Sequence, residues 1–153
     1  MRLEQVIAAE PVVVWSVISD IDGAPELFDA VTSIHRLGEG SDYDVGTRWS
    51  VTRKVYGRSV TQEWAVASCE YPQWVETRAT SHGIDCRSVH ELSPEGTGTL
   101  LRHTFWVSPA SRALGRSVTH RVVLPVVLRA VEQTMRSELA MVAVESVRRQ
   151  RIS

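Results

Sequence analysis

The stretch LPVVLRAVEQTMRSELAMVAVESVRR, residues 124–149, decides the architecture. It contains no Gly, and Leu124, Leu128, Val131, Met135, Leu139 and Val142 recur in steps of three and four, which places them on one stripe of an α-helix. Arg129, Glu132, Gln133 and Arg136 fall off that stripe. The helical pattern reaches back to about Ser111, with Pro125 expected to kink or divide it near residue 124. Beyond Pro125 the stripe continues for roughly 20 residues, about 30 Å at the α-helical rise. A rod of that length with one apolar face needs a broad surface to lie on.

The upstream residues supply that surface. Residues 2–8 read as a first strand, and Glu10-Pro11 opens a helix on which Val13, Val14, Val17, Ile18 and Ile21 share helical spacing. Asp20-Ile-Asp-Gly23 closes it, and Ala24-Pro-Glu-Leu-Phe28 reads as a second short helix. From residue 31 the pattern is of strands: Val31–Leu37, Val45–Val55, Ser59–Ser68, Trp74–Thr80, Ile84–Leu92 and Thr99–Val107. The breaks between them are Gly38–Asp44, Gly57, Tyr71-Pro72, His82-Gly83 and the tight turn Glu95-Gly-Thr-Gly98. Consecutive strands joined by short turns form an antiparallel meander. The expected fold class is therefore α+β: a curved antiparallel sheet of about seven strands around a long C-terminal helix, with two short helices after the first strand. A strongly curved sheet does not close tightly on one helix, and the gap left between them is a cavity suited to a small molecule.

Composition agrees with one globular unit, residues 1–153, large enough to bury about 70% of its unfolded surface without metal or disulfide staples. Seventeen basic and eighteen acidic residues leave a net charge of −1, which argues against a sequence-independent grip on nucleic acid. Lys54 is the only Lys, so Schiff-base chemistry has one side chain to use. Cys69 and Cys86 cannot cage a metal alone, and no CxxC pair is present, so no metal site is expected. Gly38–Gly46 does not match GxGxxG, so no phosphate-binding loop or cofactor is expected either. The first residues lack the apolar core of a signal peptide and no apolar run is long enough to cross a membrane, so the expected location is the cytoplasm.

Period-two alternation assigns the cavity wall. Trp49, Val51 and Arg53 share a face, as do Val60, Gln62, Trp64 and Val66. Ile84, Cys86, Ser88, His90 and Leu92 form another such set, and Leu101, His103, Phe105 and Val107 a fourth. The opposite face of the last strand, with Leu100 and Trp106, is almost as apolar, so its inward side is open. The expected cavity is lined by Trp49, Val51, Gln62, Trp64, Val66, Cys86, Ser88 and Phe105 from the sheet and by Leu128 and Met135 from the helix. His90 and His103 are candidate acid/base groups, because imidazole titrates near neutrality, and Arg53 is a candidate partner for an enolate or carboxylate. Each has a plainer alternative, a structural His or a surface Arg. Ser88 and His90 stand about 6.5–7 Å apart along one strand, too far for a nucleophile and its base.

The element order, with Val14-Trp15, Asp20-Ile-Asp-Gly-Ala-Pro-Glu-Leu-Phe28, Val45-Gly46-Thr47 and Leu92-x-Pro94-x-Gly96-Thr97, resembles the START/Bet v1-like (SRPBCC) superfamily, within it the polyketide cyclase/dehydrase and aromatase/cyclase branch. The resemblance covers nearly the whole chain. It implies a helix-grip fold whose cavity holds polyketides, lipids, sterols or other hydrophobic molecules. For an enzyme of this branch, an acyl carrier protein is the expected source of the substrate. Aromatase/cyclases carry a Tyr after the segment matching Pro25–Phe28 and an Arg at the end of the strand matching Val60–Ser68; here Val31 and Ser68 stand there, with Arg78 near a further pocket Arg. Two functions follow as expectations: a protein that binds an aromatic or polyketide-like molecule and cyclises or dehydrates it, or a non-catalytic carrier or sensor of a lipid, quinone or similar ligand. A protein–protein module using an exposed sheet edge is a third. The chain is expected to be a monomer or homodimer.

Overall fold

The computed structural model describes residues 1–81, 83–109 and 118–153, with side chains described throughout except at 118–124 and 127. The chain runs β1 (Arg2–Ile7), α1 (Pro11–Ile18), α2 (Ala24–Leu27), β2 (Val31–Leu37), β3 (Arg48–Val55), β4 (Arg58–Glu70), β5 (Trp74–Ser81), β6 (Ile84–Glu95), β7 (Gly98–Pro109) and α3 (Val118–Ile152). All seven strands form one antiparallel sheet in the order β1-β7-β6-β5-β4-β3-β2. The meander is thus complete from β2 to β7, and β1 adds to its far edge beside β7. Register shifts at Val66/Ser68 in β4 and at Val31/Ser33 in β2 add residues to one strand of a pair and bend the sheet there.

The local chemistry explains most boundaries. Pro11 sits in the first turn of α1, where no intrahelical partner exists for its missing N–H. Gly96, at φ 58°, makes the left-handed step of the turn in which Glu95 pairs with Gly98. The strand expected from Val45 begins only at Arg48, because Gly46, at φ 92°, turns the chain through a conformation closed to a strand. α3 passes through Pro125 without division, losing one backbone donor near its start. The expected helical stretch Ser111–Ser117 lies outside the described residues.

The core lies where α3 and α1 meet the β1 side of the sheet. Met135, Leu139 and Val142 of α3 join Val14, Trp15 and Val17 of α1, Leu3 and Ile7 of β1, and Leu101 of β7. Val14, Val75 and Leu101 are 0% exposed. Polar pins fix the same corner. Arg149 of α3 donates to the Asp20 carboxylate at 2.8 Å and to the Ser16 carbonyl at 3.0 Å, and buried Thr99 donates to the Ala9 carbonyl at 2.7 Å. On the β3 side α3 touches the sheet through long polar side chains: Arg53 pairs with Glu138, and the Tyr56 hydroxyl donates to the Val126 carbonyl.

At Gly98 the backbone lies so near its neighbour that any Cβ would strike the Ile7 carbonyl oxygen. Gly98→Ala is therefore expected to force β1 and β7 apart and cost about 1–3 kcal/mol. Thermal unfolding checks this against Gly40→Ala, whose Cβ meets no atom within 4 Å and which reports only the cost of its positive φ.

Candidate functional site

Between the bent sheet and α3 lies a cavity of about 250 Å³. Its wall is mostly apolar: Trp49, Val51 and Val55 from β3, Trp64 from β4, Phe105 from β7, Phe28 and Val31 beside α2, and Val131, Met135, Leu139 and Val142 from α3. Trp64 and Phe105 face each other with ring centroids 6.3 Å apart. At another point Tyr43 and Trp49 lie 6.0 Å apart, and Tyr43 meets Trp15 edge-on at 6.1 Å.

Polar groups enter this wall at a few points. Gln62, Thr77, Ser88, His90 and His103 line it from the sheet, Arg53 from β3, and Thr134 and Glu138 from α3. Register assembles the central group. His90 pairs directly with His103 across β6 and β7, and Ser88 pairs with Phe105. Ser88 and His103 are therefore diagonal neighbours on one face, within side-chain reach. The Ser88 hydroxyl and His103 Nε2 are hydrogen-bonded at 2.7 Å, both buried. The His90 and His103 rings stack at 3.9 Å with their planes 20° apart.

The electrostatics of this group follow from its position. The exposed part of His90 faces the cavity, not bulk water, so the ring has lost most of its hydration. Burial pushes its pKa down to about 4. His103 is held well below the usual imidazole range, first by burial and then by the neighbouring His90 ring and the Arg53 charge. Both rings are neutral at physiological pH and able to accept a proton. Burial also keeps the Tyr43 phenol protonated and raises the Cys86 thiol, leaving Cys86 a poor nucleophile.

Of the residues expected at the cavity, Trp49, Val51, Arg53, Gln62, Trp64, Ser88, His90, His103, Phe105 and Met135 line it. Val66, Cys86 and Leu128 are not among the lining residues. Val66 is buried in the apolar core at 2% exposure, beside the register shift that turns β4. Cys86 is buried within β6, and Leu128 lies toward the start of α3. The inward face of β7 is the one with Leu101, His103 and Phe105, while Trp106 points outward, 43% exposed under the Arg87 guanidinium. Arg53 is not a free cation, since Glu138 holds it. Sequence reasoning missed Glu138, Tyr43 and Thr77. Glu138 stands three residues after Met135, on the flank of the apolar stripe, and that spacing was its available signal. Tyr43 lies in a turn-rich segment that folds over the cavity only in three dimensions. Among the described residues no group of three or more His, Cys, Asp or Glu side chains is placed to hold a metal ion. No helix among them is long and apolar enough to cross a membrane.

The buried imidazoles make stability depend on pH. An unfolded chain takes up protons at imidazoles near the ordinary value of 6.5, whereas folded His90 refuses one until about pH 4. The contribution is complete above 6.5 and is lost as pH falls through that window. The loss from His90 should be on the order of 2–3 kcal/mol by pH 4. Chemical denaturation at a series of pH values should show a flatter acid limb for His90→Gln/His103→Gln than for the parent protein.

Comparison with known proteins fits this geometry. Residues 1–145 match the family described as polyketide cyclase / dehydrase and lipid transport. Among solved structures, the chain is similar to the Zhui aromatase/cyclase of Streptomyces sp. R1128, with 18% identity, TM-score 0.77 and coverage of 97% of this chain and 93% of that one. It is also similar to the di-domain ARO/CYC StfQ of the steffimycin biosynthetic pathway, with 12% identity and TM-score 0.79 over 97% of this chain and 51% of that longer one. A START superfamily protein of Mycobacterium smegmatis is similar at 15% identity and TM-score 0.65, over 90% and 96% of the two chains. At these identities the likeness is one of fold. No curated protein sequence matches the chain. The match over residues 1–145, with which the seven-stranded helix-grip architecture agrees, places this chain in the polyketide cyclase/dehydrase and lipid transport family.

Proposed function

We propose that the cavity binds an aromatic or polyketide-like molecule and that Ser88, His90, His103 and Arg53 catalyse its cyclisation with loss of water. The observation that carries this reading is the hydrogen-bonded Ser88–His103 pair, stacked on His90, on the wall of an otherwise apolar cavity. A folding hydrophobic protein gains nothing in stability from three polar side chains there. A ligand with a carbonyl in an apolar framework gives them a partner.

The chemistry runs as follows. A poly-β-ketone lies folded between Trp49, Trp64, Phe105 and the α3 stripe, so that proximity supplies much of the rate. Neutral His103 takes a proton from the carbon between two ketones, and the electron pair moves to the enolate oxygen. The enolate forms beside the imidazolium that took its proton, so charge is balanced locally, and Arg53 offers that oxygen the N–H groups not engaged by Glu138. The enolate carbon attacks a second ketone of the same chain, making a carbon–carbon bond, and the new alkoxide takes a proton from an imidazolium. A second α-proton then passes to an imidazole, and the imidazolium so formed protonates the departing hydroxyl, so that water leaves, a ring double bond forms and the imidazole returns to its neutral state. Ser88 holds His103 in one tautomer and orientation, and His90 supplies the second acid/base group. An acyl carrier protein is the partner that would deliver a tethered substrate.

A second reading is favoured by a different observation. Val31, where aromatase/cyclases carry a Tyr, puts only methyl groups on the cavity wall. Without that hydroxyl the chain would serve as a carrier or sensor of a lipid, quinone or similar molecule, with the same cavity and no proton transfer.

The two are separated by pairing binding with turnover. The uncharged fluorophore N-phenyl-1-naphthylamine is expected to bind the protein, and an aryl 1,3,5-triketone is expected to be cyclised. His90→Gln/His103→Gln should keep probe affinity within about threefold and lower turnover about 100-fold or more. Binding without turnover in the parent protein would establish the carrier, and absence of binding would eliminate both readings.

A further inference from the structure

The charges around the cavity are all answered by the protein itself. The lining residues that carry formal charge are Asp20, Arg53 and Glu138. Asp20 accepts from Arg149 at 2.8 Å and from the Gly23 backbone N–H at 3.1 Å. Arg53 is paired with Glu138 through Nη1, across the space between β3 and α3. The pair is partly buried, with side-chain exposures of 29% and 19%. The remaining polar groups of the wall, among them Tyr43, Gln62, Thr77, Ser88, His90, His103 and Thr134, are hydrogen-bonding groups without formal charge in this environment.

This arrangement discriminates between ligands. An anion entering the cavity gives up its hydration and regains it only from a buried cation. Arg53 is the one guanidinium on the wall among the described residues, and its charge is already cancelled. The Glu138 carboxylate would add repulsion at short range. A neutral molecule with a carbonyl or hydroxyl loses less and is repaid by Ser88, His103 or Gln62. Glu138 also lines a second pocket of about 240 Å³ that shares Phe28 and Thr134 with the cavity, so its carboxylate borders both spaces.

We infer that Glu138 is a specificity-determining residue: by occupying Arg53 from the opposite wall, it restricts the cavity to uncharged aromatic ketones and phenols and excludes the corresponding carboxylates. The inference rests on the reading of the cavity as a binding site for aromatic molecules. Its mechanism is competition for one guanidinium. Removing the intrinsic carboxylate should therefore admit an external one.

The test compares 2-naphthol and 2-naphthoate near neutral pH, which share a ring system and differ in charge. Quenching of Trp49 and Trp64 fluorescence follows binding. The parent protein should bind the naphthol about tenfold or more tighter than the naphthoate. In Glu138→Gln, which keeps the side-chain shape, naphthoate affinity should rise about tenfold or more while naphthol affinity changes by less than about threefold. The gain should vanish in Arg53→Gln/Glu138→Gln, which has neither charge and also serves if the single variant folds poorly. Equal affinities for the two ligands in the parent protein would overturn the inference. So would a parallel change of both ligands in Glu138→Gln, since that marks the ion pair as a strut between α3 and the sheet and nothing more. If neither ligand binds the parent protein, the underlying reading of the cavity fails, and that outcome is distinct from a failure of discrimination.

Discussion

One helix has to cover the concave face of a seven-stranded sheet, and it is not wide enough to do so. An α-helix with its side chains is about 10–12 Å across, whereas seven strands at about 4.8 Å each span roughly three times that. The chain resolves the mismatch asymmetrically. α3 commits its apolar stripe to the β1 side, where α1 closes the third face of the core, and among the described residues its polar links to the β3 side are Arg53–Glu138 and Tyr56. The space between is lined by large rings because rings cover area with few degrees of freedom. Those rings also forgo some of the dispersion contact that a filled interior would give them.

The polar side chains on that wall belong to the same compromise. Burial makes an imidazolium costly, so His90 and His103 stay neutral and available as acceptors, and for the same reason they are weak bases until negative charge develops next to them. In the proposed reaction, a bound molecule becoming an enolate would supply that charge at the moment of proton transfer. The Arg53–Glu138 pair fits the same pattern, since a cancelled charge leaves the cavity nonpolar in net terms while still presenting N–H donors to it.

Much of this could be read along the chain. The α3 stripe, the order of strands and the tight turn at Gly96 are local signals, because helical and strand periodicities are properties of neighbouring residues. Most of the cavity wall was legible for the same reason: alternation sorts Trp49, Val51 and Arg53, or Ser88 and His90, onto one face whatever lies opposite. Departures came where a local rule met a tertiary demand. The rung lost at Pro125 did not divide α3, and Val66 was drawn into the apolar core where β4 changes register.

What the residue order alone determined is the set of candidates: which side chains share a strand face, and that an amphipathic rod of α3's length must lie on a sheet. The tertiary structure decided which candidates meet. Ser88 lies far from His103 in sequence and meets it only because β6 and β7 pair in one register, and a slip of one residue would have turned one of them outward. Glu138 meets Arg53 only because α3 crosses above β3. Contacts of this kind depend on the relative placement of whole elements, which is set by burial summed over the molecule; the spacing of Glu138 puts it on the flank of the stripe but does not name its partner.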